Sequence, residues 1–250
     1  VFASVPADRE ASGCTPDLDD PSARSYMALI ADAFEKPLLA DLDRNGRVSL
    51  AEAHAYARIH DDTVDLPIAS SDAWLSRALG DGAPDVAKVS IDTLVRDARP
   101  AEKAVIEGLR PKDANAARAR AELESLDARI EELERQASKL SDERERARRT
   151  LVDAVLTEWP ELANPYHAIA RKLLAQDARE VVTFMKKQAA LATMADLDEK
   201  LVGRDTEVLD LEKRAVRLER WFQALQNVAN EKAVRRAKNT SNVAALDALL

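Results

Sequence analysis

The 250-residue chain is poor in aromatic residues, glycine and cysteine. Aromatic residues make up 4% of it and glycines number 6, which disfavours an all-β protein. The single cysteine, Cys14, excludes an internal disulfide and a cysteine-based zinc site. No apolar run approaches the roughly 18–20 residues that span a bilayer. The chain starts with Val1 and shows no signal-peptide pattern, so we expect its natural start to lie upstream.

The negative charge is concentrated near the start of the chain. The net charge is −8, and residues 1–65 hold 13 Asp or Glu against 6 Lys or Arg. The remaining residues are nearly balanced, with 32 acidic against 31 basic side chains. Because an acidic surface repels phosphate backbones, we do not expect nucleic acid as a partner.

A twelve-residue loop carries the strongest chemical signal, in the stretch ADLDRNGRVSLAEAHAY. Its residues match the calcium-loop pattern D-x-[DN]-x-[DN]-G-x5-E of EF-hands without exception. Gly46 permits the sharp turn at position 6, position 7 contributes a backbone carbonyl, and position 9 ligates directly or through water. The last residue can bind in bidentate fashion from the first turn of the next helix. The predicted ligands are Asp41, Asp43, Asn45, Arg47, Ser49 and Glu52.

The alternative is a polar helix–loop–helix connector that resembles such a loop by chance. The chain has a single loop of this type, although these loops commonly act in pairs. Arg44 and Arg47 also reduce the local negative charge. We therefore expect a structural Ca²⁺ site rather than a switch.

Short strands and helices are predicted around this loop. VFASV (Val1–Val5) and TVDLPIAS (Thr63–Ser70) read as strands, the first buried and the second at an edge because of Pro67. An apolar stripe predicts a helix that enters at Asp19–Ser22 and ends or kinks at Pro37. Ser70 or Ser71 can cap the next helix, and another runs from about Pro100 to Pro111.

From Asn115 onward the sequence predicts two long helices. Each has an apolar seam with three- and four-residue spacing, and the second is weakened by Gly203 and Arg204. The seams are Leu123, Leu126, Ile130, Leu133, Ala137 and Leu140, then Met194, Leu197, Leu201, Val208, Leu211, Ala215, Leu218, Phe222 and Leu225. The segment between the two long helices, here called the connector, is predicted to contain a further helix with Asn164 as its N-cap and Pro165 as its first residue. We expect an antiparallel coiled-coil hairpin, and self-association through the seam stays open.

The first 34 residues, VFASVPADREASGCTPDLDDPSARSYMALIADAF, resemble the segment that follows the catalytic cysteine in caspase- and legumain-like cysteine peptidases, including bacterial members. The resemblance extends to about residue 80. It implies a late strand of the central sheet, a substrate-pocket loop and a helix on the sheet. It implies that Asp8, Glu10 and Ser12 line that loop. The catalytic His and Cys would lie upstream of Val1, so this chain alone would lack the dyad.

The remaining candidate residues favour structural roles. Cys14 with His54 or His60 could form a nucleophile and base, but a small thiol with surface histidines is the better interpretation. His54 and His60 are six residues apart, unlike paired metal ligands on one helix, and indicate a solvated helix end. His167 is expected at the surface or as a cap. A solvated helix end also explains the basic residues Lys232 to Lys238. Trp159, Trp221 and Phe222 are expected to anchor the connector against a long helix.

The sequence thus predicts an α+β, mostly α fold. Residues 1–80 would be the C-terminal part of a caspase-like α/β domain with the loop at 41–52, residues 81–112 a helical linker, and 113–250 a coiled-coil helical domain. The leading hypothesis is the C-terminal portion of a cysteine peptidase with structural calcium and a coiled coil that recruits a protein or peptide. The alternative is a non-enzymatic calcium-binding coiled-coil adaptor or scaffold.

Overall fold

The computed structural model describes residues 1–7, 9, 11, 24–112, 115–164, 166–237 and 240–250. Of the residues that the structure describes, 78% are helical and two strands form a small sheet, which confirms the mostly α class. It divides into unit 1 (Val1–Asp127 and Leu211–Leu250) and unit 2 (Ala128–Asp210). These boundaries differ from the predicted 1–80, 81–112 and 113–250, since the C-terminal residues pack with the N-terminal ones. None of the described helices is both long and apolar enough to cross a membrane.

The sheet lies in unit 1 and pairs two very short strands. β1 (Phe2–Ala3) and β2 (Ile68–Ala69) are antiparallel, with Phe2 opposite Ala69. Both strands fall inside the predicted runs. However, Val1 is 93% exposed, so the prediction of a buried strand over Val1–Val5 was wrong. Among the described residues the sheet has only these two strands, so β1 lacks the neighbours that would bury both of its faces.

Three helices form a small core around the predicted calcium loop: α1 (Tyr26–Glu35), α2 (Pro37–Ala40) and α3 (Leu50–His60). Ser25 caps α1 by accepting the N–H of Ala28, and the predicted entry at Asp19–Ser22 lies outside the described residues. As the sequence indicated, α1 stops just before Pro37, which then occupies the first position of α2. The core consists of Ala33, Ala40, Ala53 and Tyr56.

Further helices complete the two units. They are α4 (Ser70–Leu79), α5 (Ile91–Asp97), α6 (Pro100–Gly108), α7 (Ala116–Glu158), α8 (Ala168–Gln176), α9 (Ala178–Lys186), α10 (Ala189–Arg236) and α11 (Thr240–Leu249). Helix α6 starts at Pro100 as predicted. The predicted serine cap of α4 was wrong, because Ser70 is already helical and Asp72 accepts the Ala69 N–H at 3.1 Å.

Two buried side chains of α10 hold unit 1 together. Trp221 is fully buried and its Nε1–H donates to the carbonyl of Ile106 in α6 at 3.1 Å. The guanidinium of Arg220 donates to the carbonyls of Thr63 and Asp65, both at 2.9 Å. The segment that follows α3 is therefore fixed against α10. Trp221 does not anchor the connector as predicted, because it packs against α6.

Unit 2 contains residues 128–158 of α7, residues 189–210 of α10, and the connector between them. Arg129 pairs with Glu207 at 2.8 Å, and Arg144 pairs with Asp198. Since the later residue of α7 meets the earlier residue of α10, the two segments run antiparallel. Within these segments, the predicted seam positions are buried or half-buried: Ile130, Leu133, Ala137, Leu140, Met194, Leu197, Leu201 and Val208.

In the connector between α7 and α10, the prediction for Asn164 was wrong and the prediction for His167 is confirmed. Asn164 does not cap a helix; its Oδ1 accepts the N–H of Tyr166 at 3.0 Å in a tight turn. Helix α8 begins at Ala168, with His167 as the cap that accepts the N–H of Ile169. Pro165 lies outside the described residues. Trp159 packs edge-to-face on Phe184 of α9 with ring centres 5.2 Å apart.

Replacing Leu133 by Asp should destabilise the helical segments of unit 2. Leu133 is fully buried, so the change removes apolar packing and buries a charge, at a cost of about 3 kcal/mol or more. Ser138→Asp is the matched control, because Ser138 lies on the same helix and is exposed; its effect should stay within about 0.5 kcal/mol. Urea denaturation followed by circular dichroism measures both. Equal stability of the two variants would show that this seam is not packed.

Candidate calcium site

The loop between α2 and α3 is anchored by reciprocal hydrogen bonds at the start of α3. Ser49 Oγ accepts the N–H of Glu52 at 3.2 Å, and Glu52 Oε2 accepts the N–H of Ser49 at 2.8 Å. This capping box satisfies two backbone donors that the first turn of a helix leaves free. As a result, the Glu52 carboxylate points back into the loop.

The other oxygen of Glu52 closes the loop at its beginning. Glu52 Oε1 accepts the N–H of Leu42 at 2.8 Å and the N–H of Asp43 at 3.1 Å. The side chain is only 4% exposed. Burial by itself would raise the pKa of Glu52, but the hydrogen bonds from Ser49, Asp43 and Leu42 lower that pKa below its ordinary value. The side chain is therefore held as a carboxylate.

The first half of the loop curls around the two aspartates. Asp41 accepts the N–H of Asn45 at 3.0 Å through Oδ1 and the N–H of Gly46 at 2.9 Å through Oδ2. Asp43 Oδ1 also accepts the N–H of Asn45 at 3.0 Å. The tight curl requires left-handed backbone at Arg44 (φ 60°) and Gly46 (φ 85°). Gly46 adopts this conformation without strain, as the pattern predicts.

Three of the six predicted ligands come together in this curl. Carboxylate oxygens of Asp41, Asp43 and Glu52 all lie within 4.8 Å of one another. Like charges at such distances repel, and hydrogen bonds from backbone N–H groups counteract that repulsion. A divalent cation bound by oxygens at about 2.3–2.6 Å would neutralise the cluster.

The remaining predicted ligands form hydrogen bonds within the loop. Asn45 Oδ1 accepts the N–H of Arg47 at 2.9 Å, and Ser49 Oγ donates to Glu52 Oε2 at 2.8 Å. The roles of the Arg47 carbonyl and the Ser49 hydroxyl as ligands stay predictions. Glu52 already accepts two hydrogen bonds at each oxygen, which uses the four positions a carboxylate offers. Bidentate ligation by Glu52 would therefore replace some of these bonds.

The residues that the peptidase resemblance singled out cannot be placed. Asp8, Glu10, Ser12 and Cys14 all lie outside the described residues. The predicted substrate-pocket loop thus stays a prediction, and so does the interpretation of Cys14 as a non-catalytic thiol.

The two histidines of α3 occupy different environments. His60 is exposed and stacks on Tyr56, in agreement with a solvated helix end. His54 is only 4% exposed, with Nδ1 2.6 Å from the Tyr26 hydroxyl, so the solvated interpretation was wrong for this residue. Its ring also packs on Phe2. Burial, assisted by the nearby Arg58 charge, lowers the pKa of His54 to about 3, which keeps the imidazole neutral.

No sequence pattern indicated the buried charges next to His54. Arg58 is 1% exposed and lies 3.5 Å from the carboxylate of Glu102 in α6. It also donates to the carbonyl of Arg220 at 3.3 Å. Burial raises the pKa of Glu102, although Arg58 counteracts this effect. These partners are distant in the sequence, so no local spacing could have indicated them.

No protein-family model matches the chain, and neither a curated protein nor a solved structure is significantly similar to it. The assignment of the 41–52 loop therefore depends on its residues and its geometry.

Replacing Gly46 by Ala should destabilise the loop by about 1 kcal/mol, because a side chain at φ 85° strains the backbone. No atom lies within 4 Å of the added Cβ, so strain is the sole expected cause. Gly82→Ala is the matched control: its Cβ also meets open space, and its φ is not left-handed. That control should be neutral or slightly stabilising. Thermal melting of both variants is the measurement, and equal melting temperatures would contradict the strained turn.

The stability of unit 1 should fall on acidification below pH 6.5. The folded-state pKa of His54 is about 3 against an ordinary 6.5, so between these values the unfolded chain binds a proton that the folded chain does not. The contribution is complete above pH 6.5 and is lost toward pH 3, at about 1.4 kcal/mol per pH unit.

Denaturation midpoints of His54→Gln at pH 7, 6 and 5 test this dependence. The variant should show a flatter slope, whereas His60→Gln should retain most of it because His60 is exposed. The ring of His54 faces Tyr26 and Phe2, and the charges that act on it are those of Arg58 and the N-terminal amino group. An unchanged slope in His54→Gln would mean that this imidazole does not resist protonation.

Proposed function

We propose that this chain is a calcium-binding helical scaffold protein. The 41–52 loop holds one Ca²⁺ ion, and the paired long helices present a surface for a protein or peptide partner. The observation that carries the proposal is the convergence of the Asp41, Asp43 and Glu52 carboxylates. It coincides with a complete match to the calcium-loop spacing.

The donor chemistry supports Ca²⁺ over transition metals. The cluster consists of carboxylates, and the other predicted ligands, Asn45, Arg47 and Ser49, would add an amide, a carbonyl and a hydroxyl oxygen. Hard cations prefer such oxygen ligands, whereas Zn²⁺ and Cu²⁺ favour imidazole and thiolate. His54 is two residues from Glu52, but its Nδ1 is engaged with the Tyr26 hydroxyl.

A structural role fits the surroundings of the loop. Ala40 of α2 and both Ala53 and Tyr56 of α3 belong to one core cluster with Ala33 of α1. An ion bound to the loop between α2 and α3 would fix the connection between helices that are already packed. Binding would also relieve the repulsion among three close carboxylates. The ion would thus stabilise the N-terminal part of unit 1 without moving its helices apart.

The antiparallel segments of unit 2 support a coiled-coil hairpin as the interaction element. The Arg129–Glu207 and Arg144–Asp198 pairs fix the direction of the segments, and Leu133 and Leu197 are buried between polar faces. A coiled coil of this kind serves to space or to join other components. We also propose that the hairpin carries the surface that binds the partner, and that two copies of the chain can associate through it.

The peptidase hypothesis has less support than the scaffold hypothesis. It depends on the resemblance of the first 34 residues, and its predicted pocket residues, Asp8, Glu10 and Ser12, lie outside the described residues. The support for it among the described residues is that α1 is a helix, as the resemblance implies for the segment after the pocket loop. No described contact favours peptide hydrolysis over the scaffold, so the scaffold is the function we propose.

Replacing Glu52 by Gln should weaken Ca²⁺ binding about tenfold or more, because it removes one charge and a bidentate ligand from the site. Asp43→Asn should also weaken binding, and it retains an oxygen that can accept the Asn45 N–H. Isothermal titration calorimetry with CaCl₂ measures both affinities on the full chain. Asp62→Asn is the matched control: Asp62 is exposed just after α3 and outside the loop, so Ca²⁺ affinity should not change.

Glu52 also caps α3, so each variant needs a check that it is folded, by circular dichroism at the titration temperature. Folded Glu52→Gln and Asp43→Asn proteins that bind Ca²⁺ as tightly as the unchanged chain would refute the site. If the protein without substitutions does not bind Ca²⁺ at millimolar concentration, the calcium part of the proposed function is refuted.

A further inference from the structure

A basic cavity lies in unit 1, away from the 41–52 loop. It has a volume of about 590 Å³ and is lined by residues 109–112 after α6, the start of α7 and one face of α10. All of its lining residues belong to unit 1. Small-molecule sites commonly have volumes of about 300–1,000 Å³, so this cavity can accommodate a compact organic ligand.

The charges around this cavity oppose the net charge of the protein, which is −8. The described lining contains five cationic side chains and one carboxylate, Glu122. Asp113 follows Lys112 in the sequence but lies outside the described residues, so the count refers to the described lining alone. The cations are Arg110, Lys112, Arg118, Arg214 and Arg217. Such a concentration of positive charge in an acidic protein attracts anions.

Three of these cations make contacts that are weak or that do not neutralise their charge. Arg217 donates to the carbonyl of Gly108 at 2.8 Å, a bond that positions the guanidinium without neutralising it. Arg110 is 3.9 Å from the exposed Asp92, which makes a weak pair. Arg214 pairs with Glu122 at 3.3 Å, and both side chains are largely exposed. Exposed pairs of this kind exchange readily for a better anion.

The floor of the cavity is apolar, in contrast to its rim. Leu109, Ala119 and Leu218 line it and are each at least nine-tenths buried within unit 1. A ligand that matches both features combines an apolar or aromatic body with strong negative charge. Guanidinium groups bind phosphate oxygens in a planar, bidentate manner that a carbonyl or hydroxyl ligand does not match.

From this combination we infer that the cavity formed by residues 109–112, the start of α7 and one face of α10 binds an organic phosphate. The phosphate groups would lie on the arginine and lysine rim and the apolar body on the leucine and alanine floor. This site is independent of the calcium loop, since the two share no residue.

A fluorescence titration with mant-ATP, a nucleotide that joins a triphosphate to aromatic rings, tests this inference on the full chain. The buffer should contain EDTA, so that the calcium loop does not contribute. We expect saturable binding that weakens as salt is raised, because the ionic contacts are at the surface. ATP should displace the probe best, pyrophosphate less well, and adenosine without phosphate least.

The double variant Lys112→Gln with Arg214→Gln should bind mant-ATP about tenfold or more weakly, since it removes two charged contacts. Lys172→Gln with Arg179→Gln is the matched control: it removes the same two charges from exposed positions of α8 and α9 in unit 2 and should retain full affinity. Thermal melting verifies that both proteins are folded.

Three results would overturn the inference. The first is the absence of saturable mant-ATP binding at concentrations up to about 1 mM. The second is equal affinity of folded proteins carrying either pair of substitutions, which would place the probe elsewhere. The third is displacement of the probe by a glutamate-rich peptide but not by pyrophosphate, which would assign the cavity to acidic peptides.

Discussion

Three carboxylates held close together are the constraint on which the N-terminal part of unit 1 depends. Asp41, Asp43 and Glu52 have oxygens within 4.8 Å of one another, and the surrounding backbone N–H groups make that arrangement tolerable. Glu52 is central, because it joins the loop start, at Leu42 and Asp43, to the first turn of α3. Under the proposed function, a bound cation is the physical reason for this arrangement.

A second constraint connects this region with the C-terminal part of the chain. Arg220 donates to backbone carbonyls just after α3, and Arg58 in α3 donates to the Arg220 carbonyl. Both guanidinium groups are almost fully buried, so their hydrogen bonds offset a large loss of hydration. The interaction explains why residues 211–250 belong to unit 1, although the 83 residues of unit 2 separate them from the rest of it in the sequence. Helix α3 thus contributes Glu52 to the calcium loop and Arg58 to the buried contacts with α10.

Local chemistry determined which features could be predicted from the sequence. The calcium-loop spacing, the break before Pro37 and the start of α6 at Pro100 follow from neighbouring residues, and the structure has each of these local features. Burial of His54, Arg58 and Arg220 depends on partners up to 165 residues away, so no local pattern could indicate it. Strand length and the capping role of Asn164 were mispredicted for a related reason. Tertiary packing and a competing turn at Asn164 outweighed the local preferences.

A crystal structure of the chain grown with CaCl₂ tests the central claim most directly. The account predicts an ion inside the 41–52 curl, with oxygens of Asp41, Asp43, Asn45 and Glu52 at about 2.3–2.6 Å. It also predicts that Glu52 gives up hydrogen bonds to the backbone in order to bind the ion. Crystals with ample calcium in which Glu52 keeps all of those bonds, and the curl contains water alone, would contradict the claim.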